Sequence, residues 1–87
     1  MRVTAGNALL SKNVRFLRKR KKMSRAAFAN YIGINGNQLF CLEKELIDYI
    51  YFKGLNNLSE IYGIPADEIL SQDLEKKYAD KRFHYSR

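Results

Sequence analysis

Apolar positions recur along this chain at helical spacing and stop at a few well-marked points. Leu10, Val14 and Leu17 fall at i, i+4 and i+7 and predict one stripe of a first helix over residues 11–22. Ser11 is placed to cap that helix, because its side-chain oxygen can accept from an orphan backbone amide. Phe16 lies off the stripe. The run Arg18 to Lys22 closes the helix, where cations oppose the negative end of the dipole. Ser24 caps a short second helix over residues 25–32, with Phe28, Ala29 and Ile32 on one side. Gly33 terminates it, since a residue without Cβ takes the left-handed conformation freely. Ile34 is expected beneath the turn. Asn35 caps a third helix whose Leu39 and Leu42 face the core at i, i+3.

Residues 46–52, Leu-Ile-Asp-Tyr-Ile-Tyr-Phe, have strand-like content. No second segment reads as a strand to pair with them, and a lone strand is not viable. The expectation is a loop leading into a fourth helix at about residues 51–62, with Leu55, Leu58, Ile61 and Tyr62 inward. Gly63 ends it. Pro65 opens a fifth helical turn, where its missing amide does no harm, and Ile69 and Leu70 close the core. Residues 71–87 form a charged tail. Leu74 and Tyr78 at i, i+4 suit either a helix packed on a partner subunit or a frayed basic end. The pattern predicts an all-α domain of about five short helices over residues 1–70, followed by that tail.

With 87 residues the chain has room for one small core, and apolar residues at 46% exclude disorder by composition. The charge is polarised. Residues 1–24 carry eight positive charges and no acid, whereas residues 45–70 sum to −4, within a total of +7. A polyanion partner is the natural inference from that distribution, with a solvated helix face kept soluble by charge as the alternative. A membrane surface is a poorer match, because Arg18 to Lys22 is basic all the way round and lacks the apolar face of an interfacial helix. No apolar run approaches the roughly 20 residues that span a bilayer. The N-terminus lacks the apolar core of a signal peptide. The single cysteine, Cys41, gives no internal disulfide. A cytoplasmic protein is expected.

Catalytic and metal chemistry find little footing. His84 is the only histidine and stands in the tail among Arg82, Phe83 and Tyr85, far in sequence from Cys41. There is no zinc-spaced Cys/His set and no Gly-rich phosphate loop. No enzyme activity, metal or cofactor is expected.

The stretch Ser24 to Glu43 reads as two short helices joined at Gly33, with a strongly basic segment before it. Along residues 13–70 the ordered features are Leu17-Arg18, Ser24, Phe28-Ala29, Gly33-Ile34, Leu39, Leu42-Glu43 and Tyr62-Gly-Ile-Pro-Ala-Asp-Glu-Ile-Leu70. In this order and spacing they resemble the Cro/phage-repressor (XRE-type) helix-turn-helix family, a lambda-repressor-like bundle. The resemblance implies that the second and third helices cross closely at Ala29. It implies that Arg18 and Glu43 form a structural ion pair, and that Arg25 contacts a phosphate. It places Asn35, Gly36, Asn37, Phe40, Cys41 and Lys44 toward the major groove, with Gln38 nearby. Asn and Gln side chains can pair with adenine, Lys44 can reach a guanine or phosphate, and Phe40 can touch a thymine methyl. The exposed part of the cluster Lys19, Arg20, Lys21 and Lys22 would add phosphate contacts, unless it points sideways into solvent.

Two departures from the family matter. Gly36 and Cys41 stand where longer polar readers are common. After Glu43 the usual glycine and basic residue give way to Glu45, Asp48 and the aromatics Tyr49, Tyr51 and Phe52. Ile50 and Phe52 could fold into the core, or Tyr49, Ile50, Tyr51 and Phe52 could form a homodimer interface. Acids in that loop would repel phosphate if they faced it. The reading is a double-stranded-DNA-binding transcriptional regulator, a repressor that occludes a promoter as a dimer. The competing reading is a protein-binding module on the same fold, an antirepressor or antitoxin that engages a protein through Phe40, Tyr49, Tyr51 and Phe52.

Overall fold

In the computed structural model, which describes residues 1–78, the stripe Leu10, Val14 and Leu17 is fully buried. It lies on α1 (Leu9–Arg20), and the chain continues through α2 (Arg25–Ile32), α3 (Gly36–Glu43), α4 (Phe52–Tyr62), α5 (Ala66–Ser71) and α6 (Leu74–Tyr78). Two short strands, β1 (Arg2–Thr4) and β2 (Tyr49–Tyr51), complete the order, β1 before α1 and β2 between α3 and α4. The fold is a mostly helical bundle, as the hydrophobic spacing predicts. Phe28, Ile32, Leu39, Leu42, Leu58 and Ile69 meet the α1 stripe in one core.

The caps of α2 and α3 follow from their first residues. Ser24 Oγ accepts from the amide of Ala27 at 3.2 Å. Asn35 Oδ1 accepts from the amide of Asn37 at 2.7 Å. Gly33, with φ 77°, ends α2 in the left-handed region. Asn57 of α4 then donates its Nδ2 to the terminal carbonyl of Ile32 at 2.8 Å, so α4 seals the end of α2.

The start of α1 differs from expectation. The helix begins at Leu9, whose amide bonds Asn7 Oδ1 at 2.8 Å. Ser11 is not a cap. Its side chain is buried and donates to the carbonyl of Leu42, tying α1 to the end of α3.

The segment before α4 also differs. Residues 49–51 are a strand, paired antiparallel with residues 2–4 in the register Arg2↔Tyr51, Val3↔Ile50 and Thr4↔Tyr49. The partner strand has only three residues, too few to show a period of two, and it comes from the opposite end of the sequence. Alternation turns Ile50 into the core, where it is fully buried, with Val3 packed against the same core. Ile50 is therefore withdrawn from any interface. Phe52, which opens α4, stays 53% exposed.

Gly54 marks a close approach. A Cβ there would collide with Ile34 Cγ2, so glycine lets the first turn of α4 press against the residue after the α2–α3 turn.

Residues 71–78 return to the bundle. Leu74 is fully buried in the chain's own core rather than on a partner. Asn13, a buried polar residue on α1, holds it there. Its Nδ2 donates to the carbonyls of Ile69 at 2.8 Å and Gln72 at 2.6 Å, and its Oδ1 accepts from the amide of Leu74 at 3.0 Å. The expectations for Arg82, Phe83, His84 and Tyr85 lie outside the described residues.

Candidate nucleic-acid interface

At about 100° per residue, the three buried positions of α3 define its opposite face. Leu39, Leu42 and Glu43 point into the bundle. Asn37, Cys41 and Lys44 fall on the far side, with Phe40 on one flank and Gln38 on the other. Asn35, Gly36, Asn37, Phe40 and Lys44 are exposed, while Gln38 and Cys41 are half-buried. A Cβ on Gly36 would meet nothing within 4 Å, so packing does not demand glycine there.

The Phe40 flank adjoins α2. The Arg25 guanidinium sits 5.4 Å from the centroid of the Phe40 ring, and Lys44 Nζ lies 5.8 Å from it. The ring, 41% exposed, thus has two cations near it, Arg25 from the start of α2 and Lys44 from the end of α3. Arg25 also braces α3, because its Nε bonds Glu43 Oε1 at 3.0 Å while 40% of its side chain remains exposed. The sequence signal for this double role was weak, because the resemblance paired Glu43 with Arg18 alone.

Glu43 joins three elements. Its side chain is 1% exposed. Arg18 Nε meets Oε2 at 2.7 Å and Arg18 Nη2 meets Oε1 at 2.9 Å, a bidentate grip. Arg18 Nη1 also donates to the carbonyl of Met23 at 3.0 Å. Burial pushes the Glu43 carboxyl upward, but the hydrogen bonds from Arg18 and Arg25 outweigh it and hold the group below the usual carboxylate range. Arg15 Nη1 donates to the Glu43 carbonyl at 3.1 Å. The orientation of α3 against α1 and α2 is set at this residue.

The Gln38 flank adjoins β2. Gln38 and Cys41 line one shallow groove together with Asn35, Asn37, Tyr49 and Tyr51. Gln38 Oε1 is enclosed there without a hydrogen-bond partner among the described residues. The acids of the same loop lie elsewhere, since Glu45 and Asp48 line a separate hollow with Gly6, Asn7 and Ser11. The structure therefore splits the aromatic residues, with Phe40 on one side of α3 and Tyr49 and Tyr51 on the other.

The basic run at the end of α1 is dispersed. Lys19 and Arg20 border a groove on the outer face of α1 with Lys12, Arg15 and Phe16. Lys21 lies 5.6 Å from the Tyr31 ring centroid and 6.0 Å from that of Tyr62. Lys22 follows in the left-handed region at φ 56°. These side chains spread over α1 and the α2 side of the bundle rather than forming one ridge beside α3.

A family model described as a helix-turn-helix domain matches residues 11–75. The chain belongs to the helix-turn-helix domain family. The match runs from the buried Ser11 to the start of α6, so it takes in all of α2 to α5 and the Asn13 junction. Neither a curated protein nor a solved structure matches the chain. Membership of the helix-turn-helix family points to a DNA-binding regulator. Among the described residues, no group of three or more His, Cys, Asp or Glu is placed to hold a metal ion. No described helix is long and apolar enough to cross a membrane.

Proposed function

We propose that this helix-turn-helix protein is a sequence-specific transcriptional regulator of the Cro/phage-repressor type, a repressor that occludes a promoter as a dimer. The observation that carries the reading is the outward face of α3. Asn37, Cys41 and Lys44 project away from a helix that Glu43 anchors to both α1 and α2. A rigid helix with its polar edge outward is what major-groove readout requires.

Within this reading Asn37 supplies its amide for adenine, Asn35 and Gln38 supply their NH2 donors since their oxygens are engaged or enclosed, and Phe40 and Cys41 supply apolar contact. Lys44 reaches a guanine or a phosphate. Arg25 presents its exposed guanidinium to a phosphate while its Nε stays on Glu43. Lys19, Arg20, Lys21 and Lys22, spread as they are, act through the summed field that draws the protein to DNA. Dimerisation would use the large apolar side chains left exposed outside α3, with Leu46 at 68% and Phe52 at 53%. A protein-binding module is less well supported, because Phe40 and the two tyrosines do not make one patch.

Gel-shift on the protein's own upstream region against shuffled DNA, at low and physiological salt, tests the reading. The expected result is preferential binding to the upstream fragment, steeply weakened by salt. Lys44→Ala should weaken it without changing the fold. Equal binding to both DNAs would remove sequence readout, and salt-insensitive capture of a protein through Phe40 would replace the reading.

A further inference from the structure

The outward face of the β1–β2 ribbon is untouched by the function above. Alternation places Val3 and Ile50 inward, so Arg2, Thr4, Tyr49 and Tyr51 share the other face. Across the ribbon the Arg2 guanidinium lies 4.4 Å from the Tyr49 ring centroid, and the rings of Tyr49 and Tyr51 are 6.1 Å apart. Arg2 and Thr4 are exposed, and Tyr51 is 45% exposed. The face therefore offers one fixed cation and three hydroxyl groups. It carries no acid, since Glu45 and Asp48 border a different hollow.

Its position gives that chemistry a use. The two tyrosines form one wall of the groove whose other wall is α3, through Asn37, Gln38 and Cys41. Arg25 stands on the opposite flank of the same helix. A duplex lying on α3 has a phosphate backbone on each side of its major groove. Arg25 meets one of them, and the ribbon stands beside the other. Arginine, threonine and tyrosine are among the side chains that bind DNA phosphates and sugars.

We propose that the β1–β2 ribbon is a second DNA-binding element, in which Arg2, Thr4, Tyr49 and Tyr51 hold the sugar–phosphate backbone beside the groove that α3 enters. This proposal rests on the DNA-reading function of α3. The ribbon adds affinity and fixes the register of α3, but it reads no bases. The Tyr49 ring holds Arg2 in place, so the cation meets the backbone with little freedom left to lose.

Fluorescence anisotropy tests it, with a labelled duplex from the protein's own upstream region and a random-sequence duplex of equal length, over a series of KCl concentrations. The variants are Arg2→Ala, the double variant Tyr49→Phe/Tyr51→Phe, and Lys44→Ala on α3. The double variant keeps both rings, and circular dichroism checks that each variant is folded. Backbone contacts are blind to sequence, so both ribbon variants should weaken binding to the two duplexes by the same factor. For Arg2→Ala the loss should be on the order of tenfold, with the logarithmic salt slope reduced by about one. Wild-type affinity in both ribbon variants, with Lys44→Ala impaired, would overturn the ribbon while leaving α3 as reader. A change in sedimenting mass at unchanged DNA affinity would make the ribbon a contact between copies of the chain instead. Failure of the wild-type protein to bind either duplex would remove both proposals.

Discussion

Arg18 and Glu43 meet through two parallel hydrogen bonds, Nε to Oε2 at 2.7 Å and Nη2 to Oε1 at 2.9 Å, on a carboxylate that solvent scarcely reaches. Removing the arginine leaves that charge buried with Arg25 alone. Arg18→Ala should cost about 3 kcal/mol, the low end of the cost of breaking a buried pair, because Arg25 still compensates part of the charge. A urea denaturation midpoint measures it. A loss no larger than that of an exposed surface pair would show that Arg18 adds little to the hold on α3.

The same carboxylate predicts a pH dependence. Its folded-state titration lies below the ordinary range. The unfolded chain therefore binds the proton more readily, and protonation favours unfolding. The stabilisation from Glu43 is fully present above the normal glutamate pKa of about 4.3 and is lost as pH falls through the depressed folded value. Glu43→Gln should be less stable near neutrality and should lose less stability between neutral and acidic pH than the wild type. Parallel curves for the two proteins would show that Glu43 is not the group that titrates.

Asn13 satisfies two carbonyls and one amide where α5 hands over to α6. Asn13→Leu removes all three bonds and should destabilise by at least about 2 kcal/mol. Leu74→Ala should cost about 2–5 kcal/mol by opening a cavity in the same place. The double variant should lose less than the sum, because both changes release the same segment. Strict additivity in chemical denaturation would contradict that shared role.

Gly54 and Ile34 are coupled by contact. Gly54→Ala should destabilise by about 1–3 kcal/mol, since its Cβ needs space that Ile34 Cγ2 occupies. Ile34→Ala removes that methyl group and should offset part of the loss in the double variant. Thermal melts of the four proteins complete the cycle.

Gly36 is the opposite case. Its position is open and its φ is not in the left-handed region. Gly36→Ala should raise stability by about 0.4–1 kcal/mol, chiefly through the unfolded chain. A lower melting temperature would show that α3 needs glycine at its first turn.

The helices were legible in the sequence because each carries its own signals. The stripe Leu10, Val14 and Leu17, the caps Ser24 and Asn35, and the stop at Gly33 act over a few residues, and local physics suffices to read them. Spacing placed Leu39 and Leu42 inward, and the family resemblance supplied the outward positions of α3. What stayed hidden depends on residues distant in the chain. Ser11 could be a cap or a bridge to Leu42, and only the position of α3 decided between them. Residues 49–51 became a strand because residues 2–4 lay beside them. Asn13 gave no local sign of binding three backbone groups near residue 72. The sequence by itself determined where the helices lie and how most of them end, since those follow from spacing and caps. The tertiary structure alone decided that Arg25 shares Glu43 with Arg18, that Ile50 turns inward, and that Arg2 joins the tyrosines beside α3. Those facts depend on distances between segments, and neither composition nor periodicity encodes them.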